Sequence, residues 1–290
     1  MKKIWYQAAA AGAGLAAAGL ARSQYERRHF VVEETVIRSP KLKQKHRIVF
    51  LSDLHDNEFG KENRTLLEAI QAAEPDLVLI GGDTMVIKPR VASLRVTREL
   101  LSGLSRLSCP VYYGNGNHEQ RMQREKDVYG SLYLEFWELL REMGVHYLSD
   151  ETAFAGEDLA VSGLNIGKQF YRDLIPEQMD KGYIRRRLGD PDPSRFQILM
   201  AHSPLFFEAY AGWGADLSLA GHFHGGTIRL PLLGGVMTPQ YQFFLPWCAG
   251  TFEQNGRRMI VSRGLGTHSI NIRLGNKPQV VVAELRPEKR

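Results

Sequence analysis

Apolar residues in this chain come in short unbroken runs, and several of the runs end in residues with reactive side chains. Ile48 to Leu51 leads into Ser52-Asp53-Leu54-His55. Leu77 to Ile80 leads into Gly81-Gly82-Asp83, and Val111 to Tyr113 into Gly114-Asn115-Gly116-Asn117-His118-Glu119. Such a run, bounded by glycine and polar residues, predicts a strand buried on both faces of a parallel sheet. Between the runs the period changes. Leu66, Leu67, Ile70 and Ala73 predict a helix over Asn63 to Ala73, stopped by Pro75-Asp76. A second helix is predicted over Arg90 to Leu107. A third spans Ser131 to Met143, with Leu132, Phe136, Leu139 and Met143 on one face. Strand and helix in alternation are the signature of βαβ units.

The second half is richer in strand. Leu159 to Leu164, Gln197 to Ala201, Leu217 to Ala220, Thr227 to Leu230, Met259 to Ser262 and Val280 to Leu285 are predicted strands, and Phe30 to Ile37 an edge strand. Helices are predicted over Ile175 to Leu188 and from Ser203-Pro204, where serine caps and proline fits the first turn. At the amino terminus, Lys2 and Lys3 precede Ile4 to Ala21, an uncharged stretch of mainly Ala, Gly and Leu. A basic start and an apolar run predict a signal anchor or signal peptide over residues 1–22. The expected location is the cell membrane, with a single N-terminal anchor and the rest of the chain extracytoplasmic. Arg22 to Arg28 reads as a charged linker, within a linker and edge strand over 23–46, and one large domain follows over 47–286.

Composition changes this picture little. Of 290 residues, 43% are hydrophobic and 24% charged, enough for a core without disulfides. Cys109 and Cys248 are far apart and read as buried thiols. The net charge of +5 suits anionic substrates or an anionic membrane surface, but is too dispersed to predict nucleic-acid binding.

The chemistry lies at the strand ends: Asp53, His55, Asp83, Asn117, His202, His222 and His224. These are two carboxylates, one amide and four imidazoles. Nitrogen and oxygen donors without thiolate suit Mn, Fe, Zn or Co. Seven donors are too many for one such ion and enough for two that share a carboxylate. In extended chain, residues two apart point the same way, so Asp53 and His55 should converge, as should His222 and His224. Gly82, Gly116 and Gly221 each immediately precede a donor, where a missing Cβ allows close approach.

In this order, Asp53-x-His55, Gly82-Asp83, Gly116-Asn117-His118-Glu119, His202 and Gly221-His222-x-His224 resemble the calcineurin-like metallophosphoesterases over roughly Arg47 to Leu285. The resemblance implies an α/β fold, a four-layer α/β-β/α sandwich with two mixed sheets. It implies two divalent metal ions, one taking Asp53, His55 and His224, the other Asn117, His202 and His222, with Asp83 bridging. It implies that His118 stabilises the transition state without ligating. The activity implied is hydrolysis of a phosphoester or pyrophosphate by a metal-bridging hydroxide attacking phosphorus in line. Ser52-Asp53-Leu54-His55 followed by Phe59-Gly60 is similar to a membrane-associated bacterial phosphodiesterase branch. That branch includes enzymes that split the pyrophosphate of UDP-2,3-diacylglucosamine, so the expected substrate is a phosphorylated small molecule or a lipid- or nucleotide-linked one. One departure is Asp83-Thr84-Met85-Val86-Ile87, where many relatives carry a further aspartate. The alternative function is a non-catalytic, membrane-tethered module that binds phosphate or protein.

Other features carry paired readings. His29, His46, His146 and His268 read as structural or surface residues, with His268 otherwise lining a pocket. Tyr241 to Trp247 either packs a loop on the core or forms an apolar wall for a lipid substrate. Arg185-Arg186-Arg187 is an exposed helix end or a phosphate-steering patch, and Lys41 to Arg47 a solvated turn or a lipid-headgroup contact. Asp56 and Asn57 either support the site or form a turn.

Overall fold

The computed structural model describes residues 2–171, 177–180, 182–230, 232–238, 242–245, 247–267 and 271–288. His268, Tyr241, Pro246 and the expected helix start at Ile175 lie outside them. In chain order the elements begin with α1 (Lys2–Arg28), β1 (Val31–Ser39), β2 (His46–Leu51), α2 (Arg64–Ala72), β3 (Leu77–Ile80), α3 (Arg95–Leu104) and β4 (Val111–Gly114). Next come α4 (Asn117–Arg124), α5 (Lys126–Tyr129), α6 (Leu132–Glu142), β5 (His146–Leu148), β6 (Glu151–Ala155), β7 (Leu159–Leu164), α7 (Tyr183–Leu188) and β8 (Phe196–Ala201). The chain continues through α8 (Phe207–Trp213), β9 (Leu217–Ala220), β10 (Arg229–Leu230), β11 (Gly234–Gly235), β12 (Gly250–Gln254), β13 (Arg257–Val261) and β14 (Gln279–Pro287).

Two six-stranded sheets result, in the orders β1-β14-β2-β3-β4-β5 and β12-β13-β9-β8-β7-β6. Both are mixed: β2 to β5 run parallel and β14 opposes β2; β7, β8, β9 and β13 run parallel, flanked by antiparallel β6 and β12. The alternation of side chains along a strand explains why these runs are apolar throughout. In β2, Val49 and Leu51 join the core under α2, α3 and α6, with Leu66, Leu100 and Phe136. Ile48 and Phe50 face the other way, into a core shared with Val161, Ile198 and Leu219 of the second sheet. On the far side, Leu199 and Ala201 pack under Ile184, Tyr210 and Trp213 of α7 and α8. Three apolar layers separate four structural ones, the expected α/β-β/α sandwich.

Two expectations change. No described helix is long and apolar enough to cross a membrane, which overturns the single N-terminal anchor and the cell-membrane location drawn from it. α1 has 27 residues, so length is not what fails. Alanine and glycine contribute little transfer free energy, and Trp5, Tyr6 and Gln7 dilute the run further. The helix also runs on to Arg28 through the expected linker, because Ser23 and Glu26 are buried against the sandwich. The predicted strand over Thr227 to Leu230 shortens to β10, and the segment before α7 is not helical at 177–180.

The basic turn at Lys41 to Arg47 joins the sheets at the end opposite the strand-end motifs. Lys41 pairs with Asp216, Lys43 with Glu157, Lys45 and Arg47 with Glu284, and His46 with Asp158. Arg185, Arg186 and Arg187 pair with Asp190, Asp180 and Asp150.

Candidate metal centre

Strand ends deliver the seven predicted donors, but not through extended chain. Asp53, His55, Asp83, His222 and His224 all have left-handed backbone, with φ of 54°, 47°, 54°, 68° and 50°. For a residue with a Cβ this costs about 1–2 kcal/mol, so a tight turn, rather than strand periodicity, aims these side chains. The turns also bring the loops closer than a side chain would permit. A Cβ on Gly82, itself at φ 85°, would lie 1.9 Å from the Gly116 amide. One on Gly221 would lie 2.2 Å from Asp53 Oδ2.

Three overlapping groups of side chains result, each with potential ligand atoms within 4.8 Å of one another: Asp53, His55 and His224; His55, Asp83 and His118; Asp83, His202 and His222. His222 and His224 thus serve different groups. Asp53 Oδ1 faces His224 Nε2 at 3.5 Å, His202 Nε2 at 3.6 Å and His55 Nε2 at 3.8 Å. Asp83 Oδ2 lies between the groups, 3.1 Å from His202 Nε2 and 3.9 Å from His55 Nε2. Its other oxygen accepts the His118 amide at the start of α4, 2.8 Å away.

Backbone carbonyls orient the rings. His202 Nδ1 donates to Gly81 O at 2.8 Å and His224 Nδ1 to Gly266 O at 3.0 Å. With Nδ1 held this way, each ring points Nε2 inward, and loss of the proton from that nitrogen leaves the tautomer a metal ligand needs. His118 is set the opposite way: its Nδ1 accepts the Ile87 amide at 2.7 Å, so its neutral ring carries the proton on Nε2.

Electrostatics agree. Burial works against a charged Asp83, yet His202, His118 and His55 outweigh it and hold the carboxyl well below its ordinary range. Burial also disfavours protonated His202, but the charges of Asp83 and Asp53 lift it to about 10. Burial and the neighbouring His202 push His222 down to about 3. Burial and the charge of Asp83 raise the Asp53 carboxyl in spite of the neighbouring His202, so the negative charge that holds a cation here is centred on Asp83.

The donor set fits a pair of divalent cations. Asn117 Oδ1 and His222 Nε2 are buried without a hydrogen-bond partner among the described residues. An unsatisfied buried polar atom costs about 1–3 kcal/mol, which coordination to a cation would offset for each.

Sequence reasoning gave no supporting role to Glu119 or Thr84. Glu119, fully buried, accepts the amides of Asp83, Thr84 and Gly116 at 3.0, 3.3 and 2.9 Å and the Tyr113 hydroxyl at 2.6 Å. Burial and the charge of Asp83 raise it to about 7. Its signal was readable: a glutamate three residues after a helix N-cap can accept the N-cap amide, the glutamate half of a capping box, as Glu119 does for Gly116. Thr84, in the stretch that lacks the further aspartate, bonds the hydroxyls of Tyr113 and Thr97 at 2.7 and 3.0 Å. Asp56 accepts the Val86 amide at 2.8 Å, and Asn57 donates to Leu265 O at 3.1 Å, so both tie site loops together. In the aromatic segment Trp247 packs near Phe207, whereas Phe243 and Phe244 are exposed.

Buried imidazoles and shared carboxylates at the strand ends of an α/β-β/α sandwich define a metallohydrolase. The family model for calcineurin-like phosphoesterases matches residues 46–226, and the chain belongs to that family as a metal-dependent phosphoester hydrolase. It is 26% identical over 294 residues to the uncharacterized metallophosphoesterase YkuE of Bacillus subtilis, covering 98% of this chain and 96% of that one. It is 26% identical over 243 residues to phosphodiesterase YaeI of Escherichia coli, covering 82% of each. Among solved structures it is similar to phosphopantetheinyl hydrolase from Mycobacterium tuberculosis, at 16% identity and a TM-score of 0.47, covering 76% of this chain and 89% of that one.

Proposed function

We propose that the chain hydrolyses phosphodiester or pyrophosphate bonds by in-line attack of water. One divalent cation is held by Asp53, His55 and His224 and another by Asn117, His202 and His222, with Asp83 shared. The observation that carries this reading is the position of Asp83 Oδ2 between the two groups of imidazoles, facing His202 at 3.1 Å and His55 at 3.9 Å. Bound there, two divalent cations supply Lewis acidity at the phosphoryl oxygens and bring the pKa of water down from 15.7 to about 7.

The chain's own residues do the rest. Glu119 and the α4 amides hold Asp83 in place. The carbonyls of Gly81 and Gly266 keep the rings of His202 and His224 facing inward. His118 directs an Nε2 proton into the site, where it stabilises charge on phosphorus-bound oxygen and protonates the leaving group. A diester preference is supported by the similarity to a protein named a phosphodiesterase. An apolar substituent on the substrate is supported by exposed Leu230, Leu232, Leu233, Phe243 and Phe244, in the chain that follows His224.

The test is metal analysis of the purified chain coupled to a Mn-supplemented panel of phosphomonoesters, phosphodiesters and pyrophosphates, with and without acyl chains. Two equivalents of metal and fastest turnover of acylated diesters or pyrophosphates are expected. Turnover of monoesters alone would sink the substrate reading, and fewer than two equivalents the ligand assignment.

A further inference from the structure

His224 is gripped twice from one loop. Its ring donates to Gly266 O, and its backbone carbonyl accepts the Asn276 side-chain amide at 2.8 Å. Gly266 is itself pinned: its amide donates to Asp53 O at 2.6 Å, and its carbonyl accepts the Arg273 guanidinium at 2.5 Å. Arg273 is only 1% exposed, and its guanidinium also donates to Arg263 O at 2.8 Å, Gly264 O at 3.3 Å and Asn276 O at 3.1 Å. The fork geometry of arginine suits such a cage of carbonyls, and lysine would not fill it. Arg273 and Asn276 therefore fix the Asp53–His224 corner of the centre.

Both residues are held in turn by the end of α1. Ser23 Oγ accepts the Arg273 amide at 3.0 Å. Glu26 Oε2 accepts the Asn276 amide at 2.9 Å, while Glu26 Oε1 takes Arg22 at 2.7 Å. Residues three apart lie on one helix face. Among the described side chains of that helix, Ser23 and Glu26 are the buried ones, at 2% and 1% exposure, whereas Trp5, Tyr6, Leu15 and Leu20 are exposed. The same helix end reaches the neighbouring loop, where Arg27 donates to Asn271 at 2.8 Å. A helix that merely needed a resting place would bury its apolar side chains, because that gains free energy without desolvating charge. This one buries a carboxylate and a hydroxyl, each on the backbone of a residue that orients the centre.

We propose that the end of α1 braces the metal centre. Ser23 and Glu26 are positioning residues that hold Arg273 and Asn276, and through them the ring of His224 and the turn that carries Asp53. The inference rests on the ligand assignment above and adds a part of the chain outside it. It makes the two cation positions unequal: the Asp53–His55–His224 position depends on α1, and the Asn117–His202–His222 position does not.

The test is a titration of the metal-free full chain with Co(II), followed by its visible absorption, beside thermal unfolding of the metal-free form. The variants are Ser23→Ala, Glu26→Ala, both together, and Glu26→Gln. The unaltered chain should take two equivalents. Ser23→Ala with Glu26→Ala should weaken one equivalent by about 10–100-fold, the usual effect of removing a residue that orients a ligand, and leave the other unchanged. Glu26→Gln, which keeps an acceptor for the Asn276 amide, should restore most of the lost affinity. Ser23→Ala alone removes one hydroxyl and gives the smaller shift of the same kind. Unchanged affinity for both equivalents overturns the brace, as does equal weakening of both with a lower melting temperature of the metal-free form. Fewer than two equivalents in the unaltered chain overturns the ligand assignment itself, and the brace with it.

Discussion

The same two sheets carry a histidine–aspartate cluster at each end, and the clusters differ in one respect. Where β2 begins, His46 Nε2 donates to Asp158 at 2.8 Å, and the carboxylate also takes the amides of Lys43 at 2.7 Å and Gln44 at 3.4 Å. Nearby cations pair with Asp216 and Glu284. Donors and acceptors match, and the result is a joint between sheets. Where β2 ends the match fails: three ring nitrogens crowd one oxygen of Asp53 at 3.5, 3.6 and 3.8 Å, and Asn117 Oδ1 and His222 Nε2 are buried with no hydrogen-bond partner among the described residues. A buried histidine beside an aspartate thus has no fixed meaning. It is structural when the protons suffice for the acceptors, and a candidate cation site when they do not.

The strongest way to break this contrast is to exchange one carboxylate for an amide at each end. Asp83→Asn should abolish binding of the cation pair and reduce hydrolysis below detection. Asp158→Asn should leave metal content and turnover per folded molecule intact. Metal analysis and bis-p-nitrophenyl phosphate turnover of the two variants decide the matter; equal loss in both would dissolve the distinction. Next in size is His118→Asn, expected to lower kcat by about 10²–10⁴ while two equivalents of metal remain bound. Loss of metal in that variant would make His118 a ligand.

Metal itself should act on stability at one end only. A cation that binds the folded chain alone stabilises it by about 4 kcal/mol at a thousandfold excess over its Kd. Chelation should therefore lower the melting temperature, and Asp83→Asn should remove the response. At the other end Asp158→Ala should cost about 2–3 kcal/mol whether or not metal is present, from the loss of charge-assisted hydrogen bonds. Burial pushes the Asp158 carboxyl up, but the amide donors and His46 outweigh it and hold the group below its ordinary value. Its contribution to stability is therefore complete above about pH 3.9 and is lost as pH falls through the lower folded value. Asp158→Asn should flatten that acid limb of the melting curve, and an unchanged limb would refute the assignment.

The strand-end donors were legible because each follows an apolar run, and the run fixes where a buried strand must stop. Their convergence was legible too, although strand alternation is not what produces it. Extended chain places residues two apart on one side, whereas Asp53, His55, His222 and His224 are aimed by left-handed turns. The orienting carbonyls of Gly81 and Gly266 were beyond reading, since a backbone acceptor has no residue-type signature. Arg273 and Asn276 lie far along the chain from the motifs they support, where nothing local distinguishes them from surface residues. The amino-terminal run misled for a different reason. Length and lack of charge suggested an anchor, while apolarity per residue falls short of one, and the polar pair Ser23 and Glu26 decides where the helix end docks.

The smallest expected effect separates charge that is spoken for from charge that reaches for substrate. The Arg185-Arg186-Arg187 run lies on α7, and each arginine meets a carboxylate, at 2.5, 2.5 and 2.6 Å. A paired surface arginine contributes little long-range field, because its partner cancels it within a Debye length. Arg186→Ala should therefore leave kcat/KM for an anionic diester unchanged, and should leave unchanged the slope of kcat/KM against ionic strength. A shallower slope in the variant would mean that the arginine steers substrate despite Asp180, and α7 would then join the working surface of the enzyme.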